Sequence, residues 1–268
     1  MREWRPTRIE RVVKVYATST GAARVVTDAG DAVVKLPGNP SGPHALVCEL
    51  VGTRLAAWMG LPTFDLALMR YTGWPEVMFK GGDRAQAGTA IALRYVAGTP
   101  WGADEEGLAR VENPEAMAGL VVLDTLTLNR SRYFRGEPMR ENPSDVFLCR
   151  EGAAAGRFRL LATDHADGLR EKGGELKARI LRIERLRDTS VHGLFPAFAP
   201  YVTEASVAPF LRRVGELTPE VAQAFVQEVP ADWEVSQVIR GAITGLLVDR
   251  ARMLATRGWP TFAGREES

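Results

Sequence analysis

Apolar and polar residues recur at two different periods along the chain, and the change of period divides it. From Ile9 to Leu36 the pattern is short-range and rich in β-branched residues, so Val12 to Tyr16, Ala23 to Thr27 and Ala32 to Leu36 read as three strands. The turns between them are Ser19-Thr20-Gly21 and Asp28-Ala-Gly30-Asp31, the second a well-specified hairpin. From His44 to Met59, Leu46, Val47, Leu50, Val51, Leu55 and Trp58 fall at helical spacing, and Gly60-Leu-Pro62 ends that helix. Asp65 to Tyr71 and Ala90 to Val96 predict two more strands. A loop or ragged hairpin, Thr72 to Gly88, separates them, and Ala97-Gly98-Thr-Pro100 closes the second.

Helical patterning then takes over. Asn113 is placed to cap a helix, with Pro114 at its first position and Glu115 at the positive end of its dipole. Met117, Leu120, Val121, Leu123 and Leu128 nearly surround that helix, which predicts burial. It leads into a polar loop, Asn129 to Asp145, and then a hairpin of Asp145 to Cys149 and Phe158 to Ala162, joined by the turn-prone Glu151 to Gly156. Glu175 to Leu186 predicts a helix with Leu176, Ile180, Leu181, Ile183 and Leu186 inward; Arg179, Arg182, Arg185 and Arg187 then form a solvated face, since no aromatics interleave as in a nucleic-acid stripe. Thr203 to Leu217, Pro219 to Glu228 capped by Thr218, and Val235 to Arg257 complete the helices. Five strands around one helix, followed by a mainly helical remainder, predict an α+β fold of two lobes. The small β-rich lobe with its one helix spans residues 1–98, the larger mainly helical lobe 99–263, and a tail 264–268.

Composition narrows the classes. At 268 residues and 46% hydrophobic, the chain can bury a large core. A formal net charge of +1 gives no global attraction to nucleic acid or to an anionic membrane. Cys48 and Cys149 sit in apolar contexts, and there is no apolar leader or long apolar span, so a reduced, soluble, cytoplasmic protein is expected. The three histidines, His44, His165 and His192, are scattered and no Cys or His pair has zinc spacing. G-x-S-x-G, G-x-x-x-x-G-K-[ST] and G-x-G-x-x-G are all absent, which leaves acyl transfer and dinucleotide chemistry without an anchor.

What remains is a set of charges in unusual places. Lys35 follows Val33-Val34 at a strand end, and Glu49 lies on or beside the inward stripe of the next helix; a Lys35–Glu49 ion pair would resolve both. The small, hydroxylic turn Thr18 to Ala22 is either a phosphate cradle or an ordinary hairpin. Asp145 and Asp164 bracket one hairpin. A buried helix, a polar loop and a carboxylate-tipped hairpin match the parts of a kinase catalytic loop and its metal aspartate.

In their order, Val33-Val-Lys35-Leu-Pro-Gly-Asn-Pro, Glu49-Leu-Val-Gly-Thr-Arg-Leu-Ala56, Gly60-Leu-Pro62, Arg94-Tyr-Val-Ala-Gly98-Thr-Pro, Asn113-Pro, Asp124-Thr, Asn129 and Asp164-His165 resemble the HipA-like kinase family. Val229-Pro-Ala-Asp-Trp233 and Asp249-Arg250 extend the likeness over nearly the whole chain. The resemblance implies a bilobal protein-kinase-like fold that binds ATP and magnesium and phosphorylates a serine or threonine hydroxyl of a protein. It also implies Lys35 on the phosphates with Glu49 as its partner, Ser19, Thr20, Gly21, Arg94 and Tyr95 around the nucleotide, and Asp164 as a metal ligand. An antitoxin-like protein partner belongs to the same expectation.

The chain departs from that family at the catalytic loop. Asn129-Arg130-Ser131-Arg132 has serine where the family has its aspartate base, and Asp145 stands where the family has a metal-holding asparagine. Losing a positioned base costs about 10² to 10⁴ in rate. Two readings follow: an unconventional phosphotransferase with Asn129, Ser131 and Arg132 in its catalytic loop and Asp145 supplying charge, or a pseudokinase that binds nucleotide or a partner.

Overall fold

The computed structural model describes residues 4–18, 20–170 and 174–262. In its first part β1 (Ile9–Val15), β2 (Ala23–Thr27), β3 (Gly30–Lys35), β4 (Leu66–Tyr71) and β5 (Gly88–Arg94) form an antiparallel sheet ordered β1-β2-β3-β5-β4. Strand alternation sorts its side chains. Ala23, Val25, Ala32, Val34, Ala90 and Ala92 face outward into a small core with Val77 and Phe79. The segment expected as a loop or ragged hairpin thus has a purpose: it folds over the outer face, tied by a Met78–Arg84 bridge. Ile91 and Leu93 face the other way, into the main core shared with α1 (Pro43–Trp58).

β6 (Gly98–Pro100) leaves the sheet and pairs with β9 (Phe147–Cys149), which pairs in turn with β10 (Arg159–Leu161). The chain between them runs through α2 (Glu105–Ala109), α3 (Glu115–Thr127) and the two-residue strands β7 (Tyr133–Phe134) and β8 (Arg140–Glu141). Residues 116–127 of α3 are all buried, as an apolar circumference requires. Asn113 does not cap this helix, which starts after Pro114. Its side chain instead accepts the Leu160 N–H at 2.9 Å and donates to the Leu160 carbonyl at 3.0 Å, so α3 is anchored to the hairpin edge.

The predicted helix from Glu175 to Leu186 is absent. A 3-10 turn (Ala178–Leu181) and the short α4 (Ile183–Arg187) are separated by an extended Arg182, ψ 144°. Only Leu176 and Ile180 of the expected stripe are buried, while Leu181 and Ile183 are exposed. A single helix would have forced all five inward; the break keeps the two that reach the core. α5 (Glu204–Gly215, capped by Thr203) and α7 (Gln237–Arg257, capped by Ser236) pack against α3, and α6 (Pro219–Gln227, capped by Thr218) packs against α7 and α1. The turn Ala231–Trp233 then reaches back to the sheet: Trp233 Nε1 donates to the Thr89 carbonyl at 2.9 Å, and Asp232 accepts the Thr89 N–H at 2.7 Å. Cys48 and Cys149 are buried and unpaired. No helix among the described residues is long and apolar enough to cross a membrane. The expected tail, 264–268, lies outside the described residues.

Candidate active site

β3, α1 and the chain after β10 meet at one ammonium. Lys35 Nζ lies 3.0 Å from Glu49 Oε1 and 3.0 Å from Asp164 Oδ1. Its side chain is 6% exposed and that of Glu49 1%. Burial alone would depress the ammonium, but Asp164 and Glu49 outweigh it and raise the pKa, so Lys35 stays charged. Asp164 shows the converse: burial would raise its pKa, and the Lys35 charge more than reverses this.

Glu49 has a second task. Its Oε2 accepts the His165 N–H at 2.8 Å, which fixes the backbone next to Asp164. Asp164 itself is left-handed, φ 60°, a conformation Asp tolerates better than most residues. The approach is so close that a Cβ on Gly52 would lie 2.4 Å from His165 Cβ, and only glycine leaves that room. His165 is buried, and its pKa is pushed down to about 3 by burial, with Arg132 and Lys35 nearby. It is a neutral packing residue.

α3 delivers the polar loop. Leu128 ends the helix in the left-handed region, φ 58°, and the Asn129 N–H turns back to the Asp124 carbonyl at 2.8 Å. Asp124, fully buried in this apolar helix, holds the loop: it accepts Arg132 Nε at 2.7 Å and Asn129 Nδ2 at 3.0 Å. Asn129 Oδ1 accepts the Ser131 hydroxyl at 2.9 Å and its N–H at 3.2 Å, and Asn142 donates to the Ser131 carbonyl. Ser131 is therefore oriented by Asn129, with no carboxylate on its hydroxyl.

Arg132 is not a cleft residue. Its side chain is 0% exposed, and beyond Asp124 it donates to the carbonyls of Asp145, Thr163 (2.6 Å) and Asp164 (3.4 Å). One guanidinium thus ties together the backbones that carry both candidate metal carboxylates, so Arg132 positions the site and is not a catalytic residue. Asp145 lies in a 3-10 turn (Pro143–Asp145) just before β9 rather than on a strand. Burial and the Asp164 charge push its pKa up to about 7, against Arg132 and Lys35. The two carboxylates therefore feel each other beside Lys35. No group of three or more His, Cys, Asp and Glu side chains arranged to hold a metal ion exists among the described residues. Two hard oxygen donors whose shell must be completed by phosphate and water suit Mg²⁺ better than zinc.

The residues expected around a nucleotide divide. In the β1–β2 turn the N–H of Gly21 goes to the Thr18 carbonyl (3.1 Å) and that of Ala22 to Thr18 Oγ1 (3.1 Å), so these two donors are already engaged. Thr20 is buried, and Ser19 lies outside the described residues. Arg94 stands opposite Ala32, out of phase with the Lys35–Ile91 pair, and forms surface ion pairs with Asp65 (3.3 Å) and Glu151 (3.5 Å). It faces away from the Lys35 side of the sheet. Tyr95 lies under the Arg24 guanidinium, 3.8 Å from the ring centroid, with Arg24 held by Asp31 at 2.6 Å. Because Arg24 pairs opposite Val33, it shares a face with Val33 and Lys35.

Sequence reasoning missed Gly52, Arg24, Asn142 and the hub role of Asp124. Asp124 carried a readable signal, the one carboxylate beyond the first residue of a helix apolar on every side. The others depend on contacts between distant segments.

This arrangement defines a kinase-like fold. Among solved structures, the Helicobacter pylori proinflammatory kinase CtkA is similar over 94% of this chain and 98% of its own, with a TM-score of 0.56 at 10% identity. The Golgi casein kinase with Mn/ADP bound is similar over 99% of this chain and 76% of its own, with a TM-score of 0.52 at 9% identity. Identities this low speak for the fold alone. No protein-family model and no curated protein matches the chain by sequence.

Proposed function

We propose that this chain is an ATP-binding, HipA-like phosphotransferase whose nucleotide lies between the β-sheet and the loop after α3, with the lobes meeting near residue 98. The observation that carries the reading is Lys35 held at 3.0 Å by both Glu49 and Asp164, the lysine, helix glutamate and metal aspartate that phosphoryl transfer requires. Lys35 would turn toward the phosphates, with Glu49 keeping it in place. Asp164 and Asp145 would hold Mg²⁺, which supplies charge neutralisation at the transferring phosphoryl group. Val33 and the Arg24–Tyr95 stack, on the Lys35 face, would lie against the base. The acceptor is a serine or threonine of a protein, an antitoxin-like partner being one candidate, in the cytoplasm.

A pseudokinase reading has its own support. The Ser131 hydroxyl donates to Asn129 Oδ1, with no carboxylate bonded to it among the described residues. Thermal denaturation with ATP, with and without magnesium, tests the shared premise, because a ligand that binds only the native state raises apparent stability. A magnesium-dependent rise in Tm that Lys35→Ala removes is expected; no shift at millimolar ATP and magnesium would overturn the phosphotransferase and leave only a partner-binding role.

A further inference from the structure

Arg179, Arg182 and Arg185 do not lie along one solvated helix face. Because the chain extends at Arg182, the 3-10 turn and α4 present all three to a cavity of about 610 Å³. Arg130, from the loop after α3, and Arg170, from the segment after Asp164, line the same cavity, and Asp188 is the one carboxylate among its described lining residues. Parts of this wall are rigid. The Arg170 side chain is 2% exposed, held by Asp167 at 2.6 Å and by the Ser41 carbonyl at 2.8 Å. Arg185 donates to the Leu169 carbonyl at 2.9 Å. Arg130 reaches Asp188 at 2.9 Å.

Five guanidiniums line this concave wall, two of them paired with Asp188 and Asp167, and the remaining excess of positive charge favours anions. A second cavity, about 290 Å³, shares Leu128, Arg130 and Arg170 with the first and extends to Ser131 and Arg140. One path therefore runs from the Ser131 loop into the arginine cavity. Its dimensions suit a side chain better than a nucleic-acid strand, and no aromatic ring lines the arginine cavity among the described residues to stack a base. A carboxylate would match few of these donors, whereas a phosphoryl group brings three acceptor oxygens and close to two charges.

We infer that the arginine cavity binds a phosphorylated serine or threonine side chain of a protein substrate, whose neighbouring segment runs along the Ser131 loop. Only the direction of that segment rests on the phosphotransfer reading; the anion site stands on the cavity itself. Guanidinium forks grip phosphate bidentately, so affinity should fall with salt and with the loss of each fork.

The test is fluorescence anisotropy of the full chain with a degenerate peptide carrying a central phosphoserine, its unphosphorylated form, and a single-stranded RNA of similar charge. Arg179→Gln and Arg182→Gln remove exposed wall residues and leave the buried Arg170 in place. Preferential binding of the phosphopeptide, weakened about tenfold by each variant, is the expected result, with the ATP-induced Tm shift unchanged in both. Equal binding of the two peptides, insensitivity to both variants, or RNA binding with the same arginine dependence would overturn the inference. Mass spectrometry after incubation with ATP and magnesium addresses the source: a phosphoryl group on this chain that blocks the peptide would overturn assignment to a separate substrate. Phosphopeptide binding without any ATP shift would leave the cavity standing and remove the kinase reading, so the two fail separately.

Discussion

Glu49 accepts the His165 N–H through Oε2 at 2.8 Å while its other oxygen meets Lys35. One carboxylate in α1 thus sets both the ammonium and the backbone that carries Asp164. Breaking a buried ion pair from one side leaves a charge without compensation, at about 3–5 kcal/mol. Glu49→Ala should lose stability on that scale in urea denaturation, and Lys35→Met combined with Glu49→Leu should recover much of it. A double variant no more stable than Glu49→Ala would show that the pair does not act as a unit.

Gly52→Ala tests the same junction sterically. The added methyl would sit 2.4 Å from His165 Cβ, an atom fixed directly to the backbone beside Asp164. Overpacking of this kind costs about 1–3 kcal/mol, and the displaced His165 moves Asp164 with it. A lower Tm together with a reduced magnesium-ATP shift is expected; full retention of that shift would mean the Asp164 backbone is not held from α1.

Ser131 and Asp145 separate the two functional readings. If the lost base is the block, Ser131→Asp should raise phosphate incorporation by about 10² or more, the worth of a positioned base, and Asp145→Asn should add to it. If Asp145 has taken over the role, the wild type should already label a protein or itself, and Asp145→Asn alone should lower that labelling. ³²P incorporation across the wild type, both single variants and the double variant decides between them. Absence of transfer in all four would leave a binding role.

His192 gives a pH prediction outside the Lys35 cluster. It is fully buried, neither ring nitrogen has a hydrogen-bond partner among the described residues, and burial, aided by Arg130 and Arg250, outweighs the Asp188 charge and pushes its pKa down to about 4. The unfolded chain therefore binds a proton near pH 6.5 that the folded chain refuses until about pH 4. This contribution to stability is complete above pH 6.5 and is lost as the pH falls toward 4, by at most about 3 kcal/mol. His192→Phe keeps a ring against Phe134 and removes the titration. Its urea midpoint should fall less than that of the wild type between pH 7.5 and 4.5; parallel falls would count against a buried neutral His192.

Arg250 shows how far the site's support extends. Fully buried, it donates to the carbonyls of Thr125 (2.5 Å) and Leu126 (2.9 Å) at the end of α3, and to those of Arg185 (2.6 Å) and Asp188 (2.9 Å). Arg250→Ala would leave these carbonyls without a donor at about 1–3 kcal/mol each, and the Asn129–Ser131 loop begins where they end. Loss of the magnesium-ATP shift with the N-terminal sheet still folded by hydrogen exchange is the expected outcome.

By itself the sequence determined most of the elements and one buried ion pair. Strand and helix periods are local properties of the chain, so the five strands, α1, α3 and the last three helices were legible. The Lys35–Glu49 ion pair was legible too, because an ion at an inward position is costly unless it has a partner. Only the tertiary structure decided what Arg132, Arg94 and Arg179 to Arg185 do. An arginine in a polar loop reads as a ligand-facing group, yet Arg132 is enclosed by carbonyls from the turn before β9 and the segment after β10, 13 to 32 residues away in the chain. Arg94 was turned to the far side of the sheet by a strand register that pairs it with Ala32. The three arginines after residue 178 converge because the backbone extends at Arg182, where burying Leu181 and Ile183 in a continuous helix lost to packing Ile180 beneath α7. Periodicity carries no information about such breaks, since they are set by which surface the rest of the chain leaves uncovered.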